Sequence, residues 1–538
     1  MPERILLGDE AVALGAIDAG ITAAYAYPGT PSTEILEFIL AHAKRHGAPH
    51  AAWSVNEKTA YEEALGTCFA GGRAIVSMKH VGLNVAADPF MNSALVQMHG
   101  GLVVAVADDP GMHSSQNEQD SRWYADFARV PCFEPATQQE AYSMTREAFD
   151  LSERFGVPVL MRLVTRLSHS RTTVETGEPR EPNAPRKAPV PSSWVLLPGN
   201  ARRQWRSLLE RQAAIAAYTE ASVWNTLTLN PARRDLGVIT TGIAGNYLRE
   251  NLDDLGWAPS HLHIGAYPMP AEKLRALAAH CERLLVLEDG YPYVERLLRG
   301  LLPGARPIAG RMSGEVPATG ELDPEVVRAA LGLPARPALA LADFTLPNRP
   351  PQLCQGCPHG HAYKMVREAL AGFPTTMVTS DIGCYTLGAL PPYSAVESCV
   401  CMGASIGMAK GAAEAGFAPV VAVIGDGTFL HSGVPGLVSA AAANANMTVL
   451  ILDNQATAMT GVQDPMVPSS RLRDLVLGAG VDPAHVLTID PHPRRTHENA
   501  AILRRELEHP GLSVVIAVRE CKVAATQRQR AAAAQGVL

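Results

Sequence analysis

The stretch from Pro419 to Asn454 constrains the chain most. Two short apolar runs rich in β-branched residues, Val420–Ile424 and Thr448–Leu452, predict two buried β-strands. Each ends in a polar cluster, Gly425-Asp426-Gly427-Thr428 after the first and Asp453-Asn454-Gln455-Ala456-Thr457 after the second. In an open parallel sheet, ligands sit just beyond the carboxyl ends of the strands. Gly425 and Gly427 let backbone approach a phosphate closely, while Asp426 and Asn454 offer hard oxygen ligands. A Mg²⁺ bridging those oxygens to a diphosphate fits that chemistry. An Asp-Gly turn after an ordinary strand would read the same way if it stood alone. The 29-residue interval from Gly425 to Asn454, the two flanking strands and the second polar cluster favour the ligand site.

At 538 residues the chain is too long for one ordinary core, so two or three domains are expected. Its 47% apolar and 18% charged residues are those of a globular protein, and a net charge of −7 argues against general nucleic-acid binding. The start, Met1-Pro-Glu-Arg-Ile-Leu-Leu-Gly-Asp9, has no long apolar run, and no later run is long enough to span a bilayer, so a cytoplasmic location without membrane contact is expected. Nine cysteines, an odd number that includes a C-x-x-C pair, suggest metal or redox chemistry rather than a disulfide framework.

Residues 1–170 alternate helical patterns with apolar strands at Ala74–Met78, Leu102–Ala107 and Pro158–Leu163, which predicts a parallel α/β sheet. Its polar stretches fall at strand ends and loops: Tyr27–Ser32, Ser54–Glu57, Lys79–Asn84 and His113–Arg122. So many polar groups at loops suit a ligand site, although each alone could be a cap or a turn. Residues 171–235 read as a proline-rich linker followed by a helix, about Ala201–Ala221. A smaller α/β unit follows at 236–335, with strands at Gly237–Thr240 and Leu284–Leu287 and Gly242-Ile-Ala-Gly245 opening a helix. A second proline-rich linker leads to a last domain at 351–525, with strands at Thr376–Thr379 and Ser513–Val518 beside the opening pair and a Gly/Ala-rich helix at Gly403–Glu414. Residues 526–538 are an Ala/Gln/Arg-rich tail.

The G-D-G…N pattern resembles the thiamine diphosphate motif. Tyr27-Pro-Gly-Thr-Pro-Ser-Thr33, Trp53-Ser-Val-Asn-Glu-Lys58, Met78–Pro89, Ser114–Arg122 and Cys354-Gln-Gly-Cys-Pro-His359 together resemble the large subunit of indolepyruvate ferredoxin oxidoreductase. That family belongs to the thiamine-diphosphate-dependent 2-oxoacid oxidoreductases. The resemblance covers about residues 5–525 and implies an α/β thiamine-binding fold with two parallel-sheet cofactor domains, pyrimidine-binding at 1–170 and diphosphate-binding at 351–525. A transketolase-C-like α/β domain would lie between them. Glu57 matches the glutamate that hydrogen-bonds the aminopyrimidine and promotes loss of the C2 proton; without the resemblance it would read as a helix N-terminal carboxylate. Met402 matches the bulky residue that holds the cofactor bent, and Asp426, Asn454 and the carbonyl of Ala456 match the Mg²⁺ ligands. Gly425, Gly427, Thr428, Gly383, Asp381 and His359 are expected to contact the cofactor. Thr30 and Arg122 are candidates for the substrate carboxylate, which Arg can grip with two parallel hydrogen bonds, although a surface ion pair would suit Arg122 as well.

The resemblance also implies that Cys354, Cys357, Cys384 and Cys521 hold a [4Fe–4S] cluster. Zinc accepts the same donors, and Cys399 and Cys401 are rivals to Cys521 as fourth ligand. Buried, unliganded thiols suit Cys68, Cys132 and Cys281 better. The family's large subunit usually continues into a ferredoxin-like segment, whereas this chain stops at Leu538. Electron exit through a partner, or a truncated form, is therefore expected. The implied reaction is oxidative decarboxylation of an aryl 2-oxo acid to its acyl-CoA, with coenzyme A as co-substrate and ferredoxin or another acceptor taking the electrons. A smaller second subunit, in a dimer of heterodimers, is the implied partner. A non-oxidative thiamine decarboxylase and an inactive assembly subunit are the rival readings.

Overall fold

The computed structural model describes residues 3–186, 193–301, 307–337 and 351–534. Pro189, Pro191, Pro347 and Pro350, assigned to linkers, and the end of the tail lie outside the described residues. The chain divides into two units, Met1–Ala340 and Leu341–Leu538.

In the first unit the strands are β1 (Glu3–Leu7), β2 (Ala23–Ala26), β3 (His50–Trp53), β4 (Ala74–Lys79), β5 (Leu102–Asp108), β6 (Cys132–Phe133), β7 (Val159–Val164) and β8 (Arg171–Glu175). They continue as β9 (Asn225–Thr228), β10 (Leu236–Thr241), β11 (Ser260–Ile264), β12 (Ala266–Tyr267), β13 (Arg283–Leu287) and β14 (Ile308–Ala309). A seven-stranded sheet runs β12-β6-β7-β5-β4-β2-β3, parallel throughout except where β12 joins β6. Every residue of β4 and β5 is buried, as expected of strands covered by helices on both faces. A second sheet runs β14-β13-β10-β11-β9, antiparallel only at β9.

Two features differ from the sequence expectation. Arg171–Glu175, assigned to a linker, is a strand paired antiparallel with β1, because Thr172, Thr173 and Val174 favour extended backbone and Val174 is buried. The segments 1–170 and 236–335, expected as separate domains, share one compact unit. Here β12 extends the first sheet from within the later segment, and a buried ionic cluster joins the two. Arg162, fully buried, donates to Asp108 (2.7 Å), to Glu134 (2.6 Å) and to the carbonyl of Asp289 (2.9 Å). Arg122 pairs with Asp120 and lies 3.1 Å from Glu288. Arg311 donates to the Glu288 carbonyl at 3.2 Å and lies 3.6 Å from Asp289. Gly290, with φ +91°, completes the arrangement, since a Cβ there would lie 2.7 Å from Arg162 Nη2.

The second unit holds β15 (Met377–Ser380), β16 (Val420–Gly425), β17 (Met447–Asp453), β18 (Val486–Ile489) and β19 (Leu512–Val518), in the order β15-β16-β17-β19-β18 and parallel throughout. Alternation builds two cores on its two faces. Val421, Val423, Leu450 and Leu452 pack with helices Pro358–Leu370 and Thr496–Glu508, while Val420, Ala422, Val449 and Ile451 pack with helices Ala404–Glu414 and Val434–Ala442. Residues 526–534, assigned to the tail, lie in the helix Lys522–Ala534.

The ionic cluster sets a pH dependence. Burial pushes Glu288 up to about 7 and Asp289 up to about 6, beyond what neighbouring arginines and backbone N–H groups restore. A carboxyl raised in the folded state stabilises the fold below its unfolded pKa, and that contribution is lost as pH rises through the folded value. Glu288→Gln combined with Asp289→Asn should therefore flatten the fall in stability between about pH 5 and about pH 8. Urea unfolding across that range measures it, and an unchanged slope would show that neither group titrates there.

Candidate functional site

In each unit, parallel pairing brings the loops that follow the strands to one edge. In the second unit these are the loops after β15, β16, β17 and β19. Asp381, directly after β15, is fully buried and accepts from Ser405 Oγ (2.6 Å), Ser405 N–H (3.2 Å) and the Tyr385 hydroxyl. Thr428 donates its hydroxyl to the carbonyl of Ile382 at 3.0 Å, tying the loop after β16 to that after β15. The N–H of Gln455 donates to Asp426 at 3.0 Å and to Asp453 at 3.1 Å, so two buried carboxylates meet at one donor. Burial, then the Asp453 charge, pushes Asp426 up to about 8. The second oxygen of Asp453 is buried without a hydrogen-bond partner. Asn454 Oδ1 accepts from the N–H of Ala456 at 3.2 Å, and the Asn454 carbonyl accepts from the N–H of Cys521 at 2.8 Å. A buried carboxyl pressed toward its protonated form by a neighbouring carboxylate with an unused oxygen is a donor set that a hard divalent cation, displacing the proton, would satisfy.

Asp381, Gly383, Gly425, Asp426, Gly427, Thr428, Asn454 and Ala456 thus share this edge. His359 is buried on helix Pro358–Leu370 with its ring edge-on to Tyr385 at 6.1 Å. Burial pushes it down to about 4, and neither ring nitrogen has a hydrogen-bond partner. Met402 is half-buried in the turn before helix Ala404–Glu414; Gly403, expected to open that helix, instead precedes it with φ +84°. Sequence reasoning missed Tyr385, Ser405 and Asp453. The Tyr385 ring lies over two glycines: a Cβ at Gly383 would be 2.3 Å, and one at Gly425 2.6 Å, from Tyr385 Cε1. Nothing but its place after Asp381-Ile-Gly-Cys384 could have signalled it.

The thiols also gather by element. The Cys357 N–H donates to the Cys354 carbonyl at 3.0 Å, and Lys522 Nζ donates to the Gln355 carbonyl at 3.0 Å, tying the C-x-x-C turn to the loop after β19. Burial pushes Cys384 up to about 12, and the charges of Cys357, Cys521 and Cys354 push the same way. Cys357 is raised by burial, with Cys354 and Cys521 adding to it. Cys399 responds instead to Asp381 and Cys401. Four thiols are suitable donors for iron or zinc. Among the described residues no three of His, Cys, Asp and Glu form a metal-holding group. Electrostatic proximity reaches further than a metal–sulfur bond, which reconciles the two observations.

In the first unit, the loops after β2, β3, β4 and β5 share an edge. Glu57 opens helix Glu57–Phe69 behind the cap Asn56, whose side chain accepts from the N–H of Thr59 at 2.8 Å. Its buried carboxyl packs on Gly82, where a Cβ would lie 2.6 Å from Glu57 Oε1. Thr30 is half-buried, and its carbonyl accepts from the Ser114 hydroxyl at 3.5 Å. Lys79 donates to the Ser114 carbonyl at 2.9 Å, and burial pushes it down to about 8. Arg122 departs from expectation. It is 1% exposed, and all its nitrogens are engaged by Asp120, Glu288, Thr241, Tyr267 and two carbonyls. No paired N–H edge is left for a substrate carboxylate: Asp120, two residues away, takes Nε and Nη2, and Glu288 with the Asp289 and Tyr291 carbonyls reaches the rest from a distant segment.

Family models match the chain in both units: "Pyruvate flavodoxin/ferredoxin oxidoreductase, thiamine diP-bdg" over residues 14–194 and "Thiamine pyrophosphate enzyme, C-terminal TPP binding domain" over residues 381–516. Fold and matches define a thiamine-diphosphate-dependent 2-oxoacid oxidoreductase. The indolepyruvate oxidoreductase subunit IorA of Archaeoglobus fulgidus is 37% identical over 98% of this chain and 87% of its own length. That of Methanothermobacter thermautotrophicus is 39% identical over 96% of this chain and 86% of its own. The chain belongs to the family of these IorA subunits. A solved 2-oxoglutarate:ferredoxin oxidoreductase from Magnetococcus marinus aligns at 18% identity and a TM-score of 0.49, over 57% of this chain and 62% of that one. Among the described residues no helix is long and apolar enough to cross a membrane.

The tyrosine over the glycines is testable. Gly425→Ala should drive the Tyr385 ring off its seat and cost about 1–3 kcal/mol of stability, as overpacking does. Tyr385→Ala should relieve most of that specific cost in the double variant, read as a coupling energy in thermal unfolding. Additive losses would separate the two residues.

Proposed function

We propose that the chain is the catalytic subunit of an enzyme that oxidatively decarboxylates an aryl 2-oxo acid of the indolepyruvate kind. The products are an acyl-CoA, CO₂, a proton and two electrons, with ferredoxin or a similar acceptor taking the electrons; a [4Fe–4S] centre, if held by this chain, would supply one-electron transfer. The observation that carries this reading is the buried Asp426–Asp453 pair at the carboxyl edge of the second unit, beside Asn454 and the Gly425–Thr428 turn. Thiamine diphosphate, when bound, supplies the electron sink that lets a 2-oxo acid release CO₂.

This chain's residues would act around it. Asp426, Asn454 and the Ala456 carbonyl would hold Mg²⁺ against the diphosphate. The backbone at Gly383, Gly425 and Gly427 would lie along the phosphates, with Thr428, Asp381 and His359 lining the site and Met402 supporting the bend. In the reading carried from the family, residues 1–170 bind the pyrimidine, 351–525 bind the diphosphate, and 236–335 form the transketolase-C-like part. Glu57 would hold a proton on the pyrimidine edge, where its buried carboxyl is fixed by the Asn56 cap and Gly82. Thr30 would meet the substrate carboxylate; Arg122, held in the ionic cluster, would support that loop from behind. Cys354, Cys357, Cys384 and Cys521 would ligate the cluster. The named relatives are subunits, which supports a second subunit here; its smaller size, a dimer of heterodimers and a cytoplasmic location are part of the same proposal.

Anaerobically purified protein with its partner subunit, Mg²⁺ and thiamine diphosphate should reduce a viologen dye with indolepyruvate and coenzyme A. Coenzyme-A-independent release of an aldehyde would favour a non-oxidative decarboxylase, and no turnover an assembly subunit. Asp426→Ala should abolish Mg²⁺-dependent thiamine diphosphate binding by removing a charged ligand between cation and diphosphate; unchanged affinity would end the assignment of the motif. Cys521→Ala should lose iron and dye reduction while retaining thiamine diphosphate. Full iron content in that variant would move the fourth ligand elsewhere.

A further inference from the structure

A cavity of about 310 Å³ opens on the second sheet of the first unit, between helix Ala244–Leu255 and strands β9 and β11. The proposed reaction uses none of the residues around it. Trp224, Leu248 and Leu252 give it apolar walls. His261 and His263 also line it, two positions apart on β11 and therefore on one face. Gly245 admits the second ring, since a Cβ there would lie 2.9 Å from His263 Nδ1.

The two rings are joined through Thr240 of the neighbouring strand β10. Its hydroxyl lies 2.8 Å from His261 Nε2 and 3.0 Å from His263 Nδ1. Burial pushes His261 down to about 3 and His263 down to about 4, so both rings are neutral at ordinary pH. A hydroxyl has one proton, so it donates to one ring and accepts from the other. If Thr240 donates to His261, then His261 Nδ1 carries a proton and His263 Nε2 is an acceptor. The opposite orientation exchanges both roles. One outer nitrogen is always a donor while the other is an acceptor.

Charge around the cavity is also defined. Burial raises Glu140 and lowers both histidines, and the charge of Arg249, exposed on the helix, opposes the first shift and adds to the other two, so it acts on the same space. Glu140 keeps one carboxyl oxygen on the Ala136 N–H at 2.7 Å. Apolar walls disfavour a bare hydrated anion, and two neutral imidazoles would be left unpaired by a purely apolar ligand. The volume sits at the small end of ligand sites, roughly 300–1,000 Å³.

We propose that this cavity binds a 6-aminopurine mononucleotide. The base would lie between Trp224 and the leucines, with its paired donor and acceptor edge on the histidines, the exocyclic amine toward Glu140 and the phosphate at Arg249. This site is independent of the proposed decarboxylation.

Calorimetric titration of the full chain with AMP tests it. Saturable one-to-one binding is expected, with adenosine and the Arg249→Ala variant each weaker by at least about tenfold for loss of a charge-assisted contact. His263→Phe should block AMP, and Thr240→Val, which keeps the shape but breaks the relay, should weaken it. Arg249 is exposed, so its variant retains the fold, and circular dichroism checks the others. No binding up to millimolar AMP, equal binding of inorganic phosphate, or unchanged affinity in both Arg249→Ala and His263→Phe would overturn the proposal.

Discussion

Parallel strand pairing is the constraint on which both units depend. It sends every strand-following loop to one edge, so residues separated by tens of positions become neighbours without long-range design of the loops themselves. In the second unit, Asp381, Asp426, Asn454 and Cys521 each stand within three residues of a strand end. Register then holds them, since β16 pairs with β15 on one side and β17 on the other, and β17 pairs with β19. The hydrogen bonds from Thr428 to Ile382 and from Cys521 to Asn454 finish what the ladders begin.

Buried carboxylates occur in both units, and the company they keep separates structure from chemistry. In the first unit Asp108, Asp120, Glu134, Glu288 and Asp289 surround Arg122, Arg162 and Arg311. Each guanidinium repays desolvation with several charge-assisted bonds, and the cluster works as a fastener between two sheets. In the second unit no ion pair to Asp426 or Asp453 occurs among the described residues, and one Asp453 oxygen has no partner. Two carboxylates placed together in the interior without a cation are costly, and that cost is recovered only when something positive arrives.

Much of this was legible in the sequence, for a physical reason. Strands such as Val420–Gly425 and Leu102–Asp108 are buried on both faces, so their apolar runs are local and continuous. The polar clusters after them are local too, which is why Asp426 and Asn454 could be singled out from their spacing, whereas Glu57 stood out only through the family resemblance. What escaped was whatever depends on a distant partner. Arg171–Glu175 offers only the short run Thr172-Thr173-Val174 ahead of the prolines that begin at Pro179, and becomes a strand because β1 offers it an edge. Ala266–Tyr267 is two residues long and exists as β12 only against β6.

Arg122 shows the same limit at a single residue. Asp120-Ser-Arg122 at the end of a polar loop reads equally as an anion receptor or as an ion pair, since local sequence contains both halves of either. The choice is made by Glu288 and by the Asp289 and Tyr291 carbonyls, which arrive from more than a hundred and sixty positions away. Once those acceptors surround it, the guanidinium has more to lose by turning toward a small carboxylate than the ligand could return, because Glu288 would lose its ion pair and Asp120 would keep only Arg162. The loop that carries it, His113–Arg122, is thereby anchored at one end by the ionic cluster and at the other by Ser114, which Lys79 and Asp109 hold. Thr30, whose carbonyl accepts from Ser114 of that loop, is thereby backed by an anchored segment, with Arg122 fixing where it stands.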